Sequence, residues 1–310
     1  MKDDKMKFYS LDHLLNDQSE RPSDLIGDGI LLKKSFLLIT GAKKSRKTFL
    51  AYNFGIALAA GGTFGGFIIP ETKNRVLILS AEGGYYPNKE RIQKMCYWVD
   101  DERRKKLDIN LDISFDPRIK LEDDEDYKLL SAKIEEFKPN VVIIDPFIKF
   151  HQIEENSAGE MSYILERLRC LIEDFNISII LVHHLGKEAS LGARGSSAIL
   201  GEYDSCITLS KVGSENKFRH RLEFDLRHSI SPDPRILLFK QETFWFYEEI
   251  SPIISIISEN GSMKKNELVK LCLSEGIYKS DGGAYKAIDK LVIAGEIKLN
   301  SDELYEIVQK

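Results

Sequence analysis

Residues 41–48, with the sequence Gly-Ala-Lys-Lys-Ser-Arg-Lys-Thr, have the spacing of a phosphate-binding loop. They match the pattern GxxxxGK(S/T) except that Arg46 stands at the second glycine. In such a loop, backbone amides and the amino end of the next helix cradle a polyphosphate, while Lys47 contacts the β/γ oxygens and the Thr48 hydroxyl contacts Mg²⁺. We predict nucleotide contacts from Gly41, Ala42, Lys43, Lys44, Ser45, Arg46, Lys47 and Thr48. The alternative is a basic strand-to-helix turn without a ligand.

Two carboxylates stand at the ends of later apolar runs. Asp145 ends the run 141–144, and Glu82 follows the run 75–80 after one residue. Ligands of open α/β sheets bind at the carboxyl ends of the strands, so Asp145 is predicted to hold Mg²⁺, directly or through water. Glu82 is the candidate general base that orients a water for attack on a γ-phosphate. The alternative for Asp145 is a turn residue before Pro146.

A fourth apolar run, 177–182, leads into His183 and His184. Because side chains alternate along a strand, only one of the two imidazoles should face the nucleotide edge, and we favour His184 as a polar sensor of the γ-phosphate. A structural role is the alternative for a single histidine at a strand end. Metal binding by the pair is not expected, since the two rings point in different directions.

Apolar strands that alternate with helices must position these side chains. Helical segments at 49–60, about 88–106, about 127–137 and 159–175 separate the runs 36–40, 75–80, 141–144 and 177–182. This order predicts an α/β core with a parallel sheet covered on both faces. Further runs near 205–210, 219–226, 235–240 and 243–247 are joined by short links and predict an antiparallel extension of the sheet.

From Pro252 the pattern changes to three short helices and a hairpin, which is the outline of a winged helix. We therefore divide the chain into an N-terminal lead-in (1–34), an α/β domain (35–249) and a small winged-helix-like domain (250–310). From Pro252 onwards there are eight Lys, nine acidic residues and no Arg. This balance is too neutral to indicate a DNA-binding surface, so protein contact or support of an oligomer is at least an equal alternative.

The composition is that of an ordinary folded protein. Across 310 residues, 44 Lys and Arg stand against 49 Asp and Glu, for a net charge of -5. Without a global basic excess, any nucleic-acid contact has to be a local patch. Four scattered cysteines without a CxxC spacing indicate neither a zinc site nor a disulfide framework and fit a reducing cytosol. The uncharged stretch 48–70 contains two Gly-Gly pairs, so we interpret it as a buried helix and a turn, with no membrane span, and expect a cytoplasmic protein.

Together the motifs resemble the RecA-like ATPases of the plasmid RepA hexameric replicative helicase type, within the broad group of AAA family ATPases. The resemblance covers about residues 25–245 and is carried by the segments 41–48, 79–83, 143–146 with Glu155 and Asn156, 182–187 and 194–197. It implies a RecA-like P-loop NTPase core with a mainly parallel sheet, and ATP and Mg²⁺ as ligands. By resemblance, Lys47 and Thr48 contact phosphate and Mg²⁺, Glu82 is the base, Asp145 is the second carboxylate and His184 is the sensor.

The resemblance also implies a ring of identical subunits, a hexamer in this family, with sites between neighbours. Arg227, just after a late strand, resembles the arginine that reaches the neighbour's γ-phosphate, and an exposed strand-end arginine is the alternative. Lys187 and Arg194, on the loop after the sensor strand, are candidates for contacts to single-stranded nucleic acid, and a solvated loop is the alternative. A replication or loading protein is a further candidate partner, through residues 250–310.

The predicted function is an ATP-hydrolysing, ring-forming motor, a helicase or translocase, that acts on single-stranded nucleic acid in replication of a plasmid or other mobile element. The alternative is a regulatory ATPase whose nucleotide state switches DNA or protein binding, which Arg46 and the near-neutral C-terminal segment favour. A small-molecule kinase is disfavoured because no arginine-rich lid segment follows the sheet and because Glu82 with His184 suits attack by water.

Overall fold

A nine-stranded sheet forms the centre of the computed structural model of this chain, in the order β11-β10-β9-β8-β1-β7-β6-β4-β5. The structure describes residues 8–19, 24–70, 74–97, 99–154, 157–184, 197–212, 217–249, 251–275, 277–278 and 280–308. Two compact units make up the chain, Met1–Glu248 and Glu249–Lys310. The sheet belongs to the first unit.

Strands and helices of the first unit alternate along most of its length. The strands are β1 (Phe36–Gly41), β2 (Gly62–Phe64), β3 (Phe67–Ile69), β4 (Val76–Ser80), β5 (Leu111–Phe115), β6 (Val141–Asp145), β7 (Ser178–Val182), β8 (Ser205–Lys211), β9 (Arg219–Leu226), β10 (Arg235–Phe239) and β11 (Phe246–Glu248). The helices are α1 (Leu11–Asn16), α2 (Lys47–Ala60), α3 (Tyr85–Cys96), α4 (Asp101–Asn110), α5 (Asp124–Phe137), α6 (Ala158–Phe175) and α7 (Ser197–Glu202), with a short 3₁₀ turn at Phe147–Lys149.

The parallel part of the sheet is larger than the sequence indicates. Strands β5, β4, β6, β7, β1 and β8 all run parallel, and β9, β10 and β11 continue the sheet with antiparallel pairing. The prediction of a mainly parallel α/β core is confirmed, whereas the prediction that the run 205–210 begins the antiparallel extension is wrong. The reason is that β8 pairs with β1 in parallel register, from Leu37 with Ser205 to Gly41 with Leu209.

Three local features depart from the predicted elements. The predicted helix 88–106 is two helices, α3 and α4, because Asp100 caps α4 by accepting a hydrogen bond from the Arg103 amide at 2.8 Å. Strand β5 was not predicted, since it lies at the edge of the sheet and its residues are only half-buried. The hairpin β2–β3, within the stretch interpreted as a turn, is the third departure.

Two apolar clusters pack on opposite faces of the sheet. Helix α2 is buried from Leu50 to Ala60, as expected for the uncharged stretch that follows the phosphate-binding loop. Part of the predicted lead-in also belongs to this core, where Leu25, Ile26, Ile30 and Leu31 are buried. None of the helices in the described ranges combines the length and apolar character that crossing a bilayer requires.

The second unit contains helices α8 (Pro252–Asn260), α9 (Lys265–Ser274) and α10 (Asp281–Ile293), followed by the antiparallel strands β12 (Ile297–Leu299) and β13 (Tyr305–Ile307). Its own apolar core includes Ile253, Leu268 and Ile288. This order agrees with the three helices and hairpin expected from the sequence. The assignment as a winged helix remains a prediction.

Candidate functional site

The carboxyl ends of four neighbouring strands carry the residues that the motifs single out. In the order β1-β7-β6-β4, these ends lead into the loop 41–48, the pair His183 and His184, Asp145, and Glu82. Because these four strands are parallel, all of these groups lie along one edge of the sheet. The sheet thus brings together the lysine, the two carboxylates and the histidine pair that the sequence analysis predicted.

The loop 41–48 has a tight backbone conformation. Gly41 has φ 149°, and a Cβ at this position would lie 2.3 Å from the carbonyl oxygen of Leu209 on β8, so the first motif glycine is required by packing. Lys44 and Arg46 also have positive φ, at 62° and 71°. The side chain of Lys47 is buried, and its Nζ donates hydrogen bonds to the carbonyl oxygens of Gly41 at 2.8 Å and of Ala42 at 3.0 Å.

Arg46 lies at the N-cap of α2 in the left-handed conformation that the motif's second glycine adopts easily. Its guanidinium turns onto the antiparallel extension, where it contacts the carbonyl oxygen of Lys217 and the ring of His220. The departure from the motif is therefore accommodated by the strands beside the loop.

Burial shifts the pKa values of Lys47 and Asp145 in opposite directions. Desolvation lowers the pKa of Lys47 to about 8, against the raising effect of the nearby carboxylates of Asp145 and Glu82. Desolvation raises the pKa of Asp145 to about 7, partly offset by a hydrogen bond with the Thr48 side chain. Lys47 and Asp145 act on each other, and the Glu82 carboxylate acts on both. The lysine and the two carboxylates therefore belong to one electrostatic cluster.

The oxygens of Thr48 and Asp145 form a suitable site for Mg²⁺. The Asp145 carboxyl is buried beside Lys47, and the Thr48 side chain is near enough to lower its pKa. Mg²⁺ prefers oxygen ligands and is commonly held by one or two protein groups together with substrate phosphates and water. Within the described residues, no group of three or more His, Cys, Asp or Glu side chains could hold a metal ion without such help. The pair therefore fits a magnesium ion that enters with a polyphosphate.

Glu82 follows β4 on a loop that a buried asparagine holds. The Nδ2 of Asn88 donates to the carbonyl oxygens of Glu82 at 2.7 Å and of Gly84 at 2.9 Å. Its Oδ1 accepts from Arg91 at 2.9 Å and from the Tyr52 hydroxyl at 3.3 Å. The Glu82 side chain itself is exposed at the edge. The loop backbone is thus fixed while the carboxylate remains open to water.

Asn88 and Tyr52 contribute to the site but belong to none of the sequence motifs. Tyr52 is fully buried in α2, and its hydroxyl is hydrogen-bonded to Ser80 Oγ, at 2.7 Å, at the end of β4. One signal for this network was present, because Tyr52 and Asn53 are polar residues inside an otherwise apolar helix. A buried polar side chain requires hydrogen-bond partners, and in this fold Tyr52 finds them beside Glu82.

The two histidines have different surroundings, as alternation along the strand predicts. His183 is buried near Phe147, and burial lowers its pKa to about 4. His184 is half-buried, and its pKa is lowered first by desolvation and then by Lys47, with Glu82 opposing. Among the described residues, Nδ1 of His184 is buried and has no hydrogen-bond partner. A neutral imidazole with an unused ring nitrogen beside Lys47 suits contact with a phosphate oxygen.

Arg227 lies at the opposite edge of the sheet. It follows the last residue of β9, Leu226, which pairs with Ser205 at the start of β8. Its Nη2 donates to the Gly201 carbonyl oxygen at 2.5 Å, and its guanidinium lies 5.3 Å from the centroid of the Tyr203 ring. Arg227 therefore does not reach the loop 41–48 of its own chain. The nucleic-acid candidates Lys187 and Arg194 lie outside the described residues, as do Glu155 and Asn156.

Comparison with known proteins gives one family and one fold. The model of a family described as an AAA domain (AAA_25) matches residues 3–190, more than half of the chain. Among solved structures, a DnaB-like replicative helicase studied with primase is 16% identical with a TM-score of 0.52, and the match covers 69% of this chain and 57% of that chain. A KaiC-like protein from Pyrococcus horikoshii OT3 is 13% identical with a TM-score of 0.54, covering 74% of this chain and 99% of that one.

A separately solved ATPase domain is 17% identical, with a TM-score of 0.53, and the match covers 69% of this chain and 85% of that domain. At such identities the likeness establishes a common fold, that of a RecA-like core. The present chain spans little more than half the length of the DnaB-like helicase that it resembles.

Proposed function

The chain belongs to the AAA domain family, and from this premise we propose that it binds ATP with Mg²⁺ and hydrolyses the γ-phosphate at the edge formed by β1, β7, β6 and β4. One observation carries the proposal. Lys47, Asp145 and Glu82 form a single electrostatic cluster at the carboxyl ends of parallel strands, with the Thr48 side chain beside Asp145. This is the set of groups needed to bind a polyphosphate, hold a cation and activate water.

Each residue has a separate task in this reaction. Lys47 leaves the carbonyl oxygens of Gly41 and Ala42 to contact the β/γ oxygens, and the amides of the loop hold the remaining phosphate charge. Thr48 and Asp145 would hold Mg²⁺, which would neutralise the developing phosphate charge. His184 donates a hydrogen bond to the γ-phosphate through its unused ring nitrogen.

Glu82 orients the attacking water and accepts its proton. The side chain is exposed, so a water molecule can reach it, and the hydrogen bonds from Asn88 fix the backbone carbonyls of Glu82 and Gly84. Hydrolysis by this route requires the carboxylate to lie on the far side of the γ-phosphate from the leaving oxygen.

We propose further that the chain acts as a ring-forming motor on single-stranded nucleic acid, in replication of a plasmid or other mobile element. Arg227 is the proposed contact to a neighbouring subunit's site, because it lies at the end of the strands opposite the phosphate loop of its own chain. A ring, a hexamer by resemblance, supplies that neighbour. Lys187 and Arg194 are the proposed contacts to the nucleic-acid backbone, and residues 250–310 are the proposed contact for a loading protein.

The test is steady-state ATP hydrolysis with Mg²⁺, measured with and without a long single-stranded DNA. The Lys47→Ala variant is the blank, because it lacks the ammonium that binds phosphate. Stimulation by the strand supports the motor and leads directly to unwinding assays. Hydrolysis that depends on Lys47 but ignores DNA and RNA supports a regulatory ATPase instead, and absence of hydrolysis contradicts the proposed activity.

A further inference from the structure

The guanidinium of Arg46 lies in a polar and aromatic pocket made by β9, β10 and the residues before β9. Its Nη1 donates to the carbonyl oxygen of Lys217 at 2.8 Å. The carbon ζ lies 4.8 Å from the centroid of the Phe239 ring and 5.1 Å from that of Phe218. A planar cation held against two rings and one carbonyl oxygen has a defined orientation, which a lysine ammonium could not reproduce.

His220 completes the pocket and has one tautomer that satisfies both ring nitrogens. Its Nδ1 lies 2.8 Å from the carbonyl oxygen of Phe218, so this nitrogen carries the proton and donates it. Nε2 then presents a lone pair, which accepts from Arg46 Nη1 at 3.2 Å. The ring is fully buried and its pKa is lowered to about 4 by burial, so it stays neutral beside the arginine at physiological pH.

The same face of helix α2 makes a second attachment to the extension, two turns further along. Asn53 Nδ2 donates to the carbonyl oxygen of Phe244 at 3.2 Å, and Asn53 Oδ1 accepts from the Phe246 amide at 3.0 Å. Phe49 lies between the two attachments and packs edge-on against Phe239 and Phe244. Residues 46, 49 and 53 share one face of the helix, and that face rests on the antiparallel strands.

We propose that Arg46 is a positioning residue for nucleotide binding, which fastens the phosphate loop to the antiparallel extension through Lys217 and His220. The motif glycine makes the left-handed backbone easy to adopt but offers nothing that holds it. Here the side chain at this position holds the backbone, so the amides of the loop keep their directions before the nucleotide arrives. The inference rests on the proposed function, since it concerns the same ATP site.

Restoring the motif is the sharpest test. The Arg46→Gly variant is expected to bind ATP about tenfold more weakly than the wild type, with much less change in turnover at saturating ATP. Arg46→Lys keeps the charge but loses the planar contacts, and its affinity is expected to lie near that of the glycine variant. Arg75→Lys is the matched control. Arg75 lies 4.1 Å from the centroid of the Phe137 ring and directly precedes β4, at the edge of the sheet away from the loop.

A second measurement separates this inference from the proposed activity. Amide hydrogen exchange of residues 41–48, in the full chain without nucleotide, should be faster in Arg46→Gly than in the wild type or in Arg75→Lys. If exchange is faster in Arg46→Gly but the wild type binds no ATP, the proposed function is overturned and the fastening role of Arg46 is kept. Unchanged exchange, or equal or tighter ATP binding by Arg46→Gly, would overturn the fastening role even where Lys47-dependent hydrolysis is intact.

Discussion

Replacing Asp145 by asparagine is expected to remove a pH dependence from the stability of the first compact unit. In the wild type, burial raises the pKa of this carboxyl from 3.8 to about 7. A group whose pKa is raised by folding contributes its full stability below its unfolded pKa and loses it as the pH rises through the folded pKa. The wild type should therefore lose stability between about pH 4 and pH 7, and Asp145→Asn should lack this loss.

The size of the effect follows from the shift. Each pKa unit corresponds to about 1.4 kcal/mol, so the carboxyl destabilises the native state by about 4 kcal/mol at pH 7 and by about 2 kcal/mol at pH 5, relative to an unshifted group. The free energy of unfolding of the wild type minus that of Asp145→Asn should thus increase by about 2 kcal/mol when the pH is lowered from 7 to 5.

The assay is urea denaturation at both pH values, without Mg²⁺ or nucleotide, followed by tryptophan fluorescence. The chain has two tryptophans, at positions 98 and 245, and both belong to the first compact unit, so the signal reports on the unit that contains Asp145. Titrating groups remote from Asp145 are common to both proteins and cancel in the comparison. A difference that does not change with pH, or that grows as the pH rises, would refute the argument that burial raises the pKa of this carboxyl.

Further predictions concern the groups around the same edge. Glu82→Gln should bind ATP nearly as well as the wild type and fail to turn it over, and normal turnover would remove Glu82 from the mechanism. Asn88→Asp replaces the amide that holds the loop after β4, so turnover should fall at least about tenfold while ATP affinity changes little; parallel losses in both would indicate a general structural defect. Above pH 8, ATP binding should take up protons, because the pKa of Lys47 is about 8 before phosphate surrounds it; equal calorimetric enthalpies in buffers of different ionisation enthalpy would contradict this. Mixing Arg227→Ala with Lys47→Ala subunits should restore some activity, and complete inactivity under conditions of subunit exchange would contradict the proposal that Arg227 acts at the neighbouring subunit's site.

The sequence predicted the parallel core because continuous apolar runs are characteristic of strands that are buried on both faces, and β1, β4, β6 and β7 are such strands. It did not reveal β5, whose residues alternate Leu, Asp, Ile, Ser and Phe at the edge of the sheet and are half-buried. The direction of β8 was also missed, because pairing is decided by the neighbouring strand and leaves no mark on the strand's own composition.

The sequence likewise predicts some residues of the candidate site and leaves some of its contacts unpredicted. Lys47, Glu82 and Asp145 are recognisable because Asp145 ends an apolar strand and the other two follow apolar strands within a short loop, and parallel strands bring such residues to one edge of the sheet. The contacts of Arg46 could not be predicted, since Lys217 and His220 are 171 and 174 residues away along the chain. Strand β9 lies near the loop only once the sheet has formed. The sequence therefore shows that Arg46 departs from the motif but does not show that His220 is its partner.

Strand β9 runs from the end of the sheet that carries the phosphate loop to the opposite end. Near its first residues, His220 contacts the phosphate loop of the same chain through Arg46, and just past its last residue stands Arg227. From residue 220 to residue 227 an extended strand covers about 23 Å. In a ring of such subunits, β9 would connect the nucleotide site of one subunit to the arginine that serves the next subunit's site. The order in which neighbouring subunits hydrolyse nucleotide would then depend on the stiffness of this single strand.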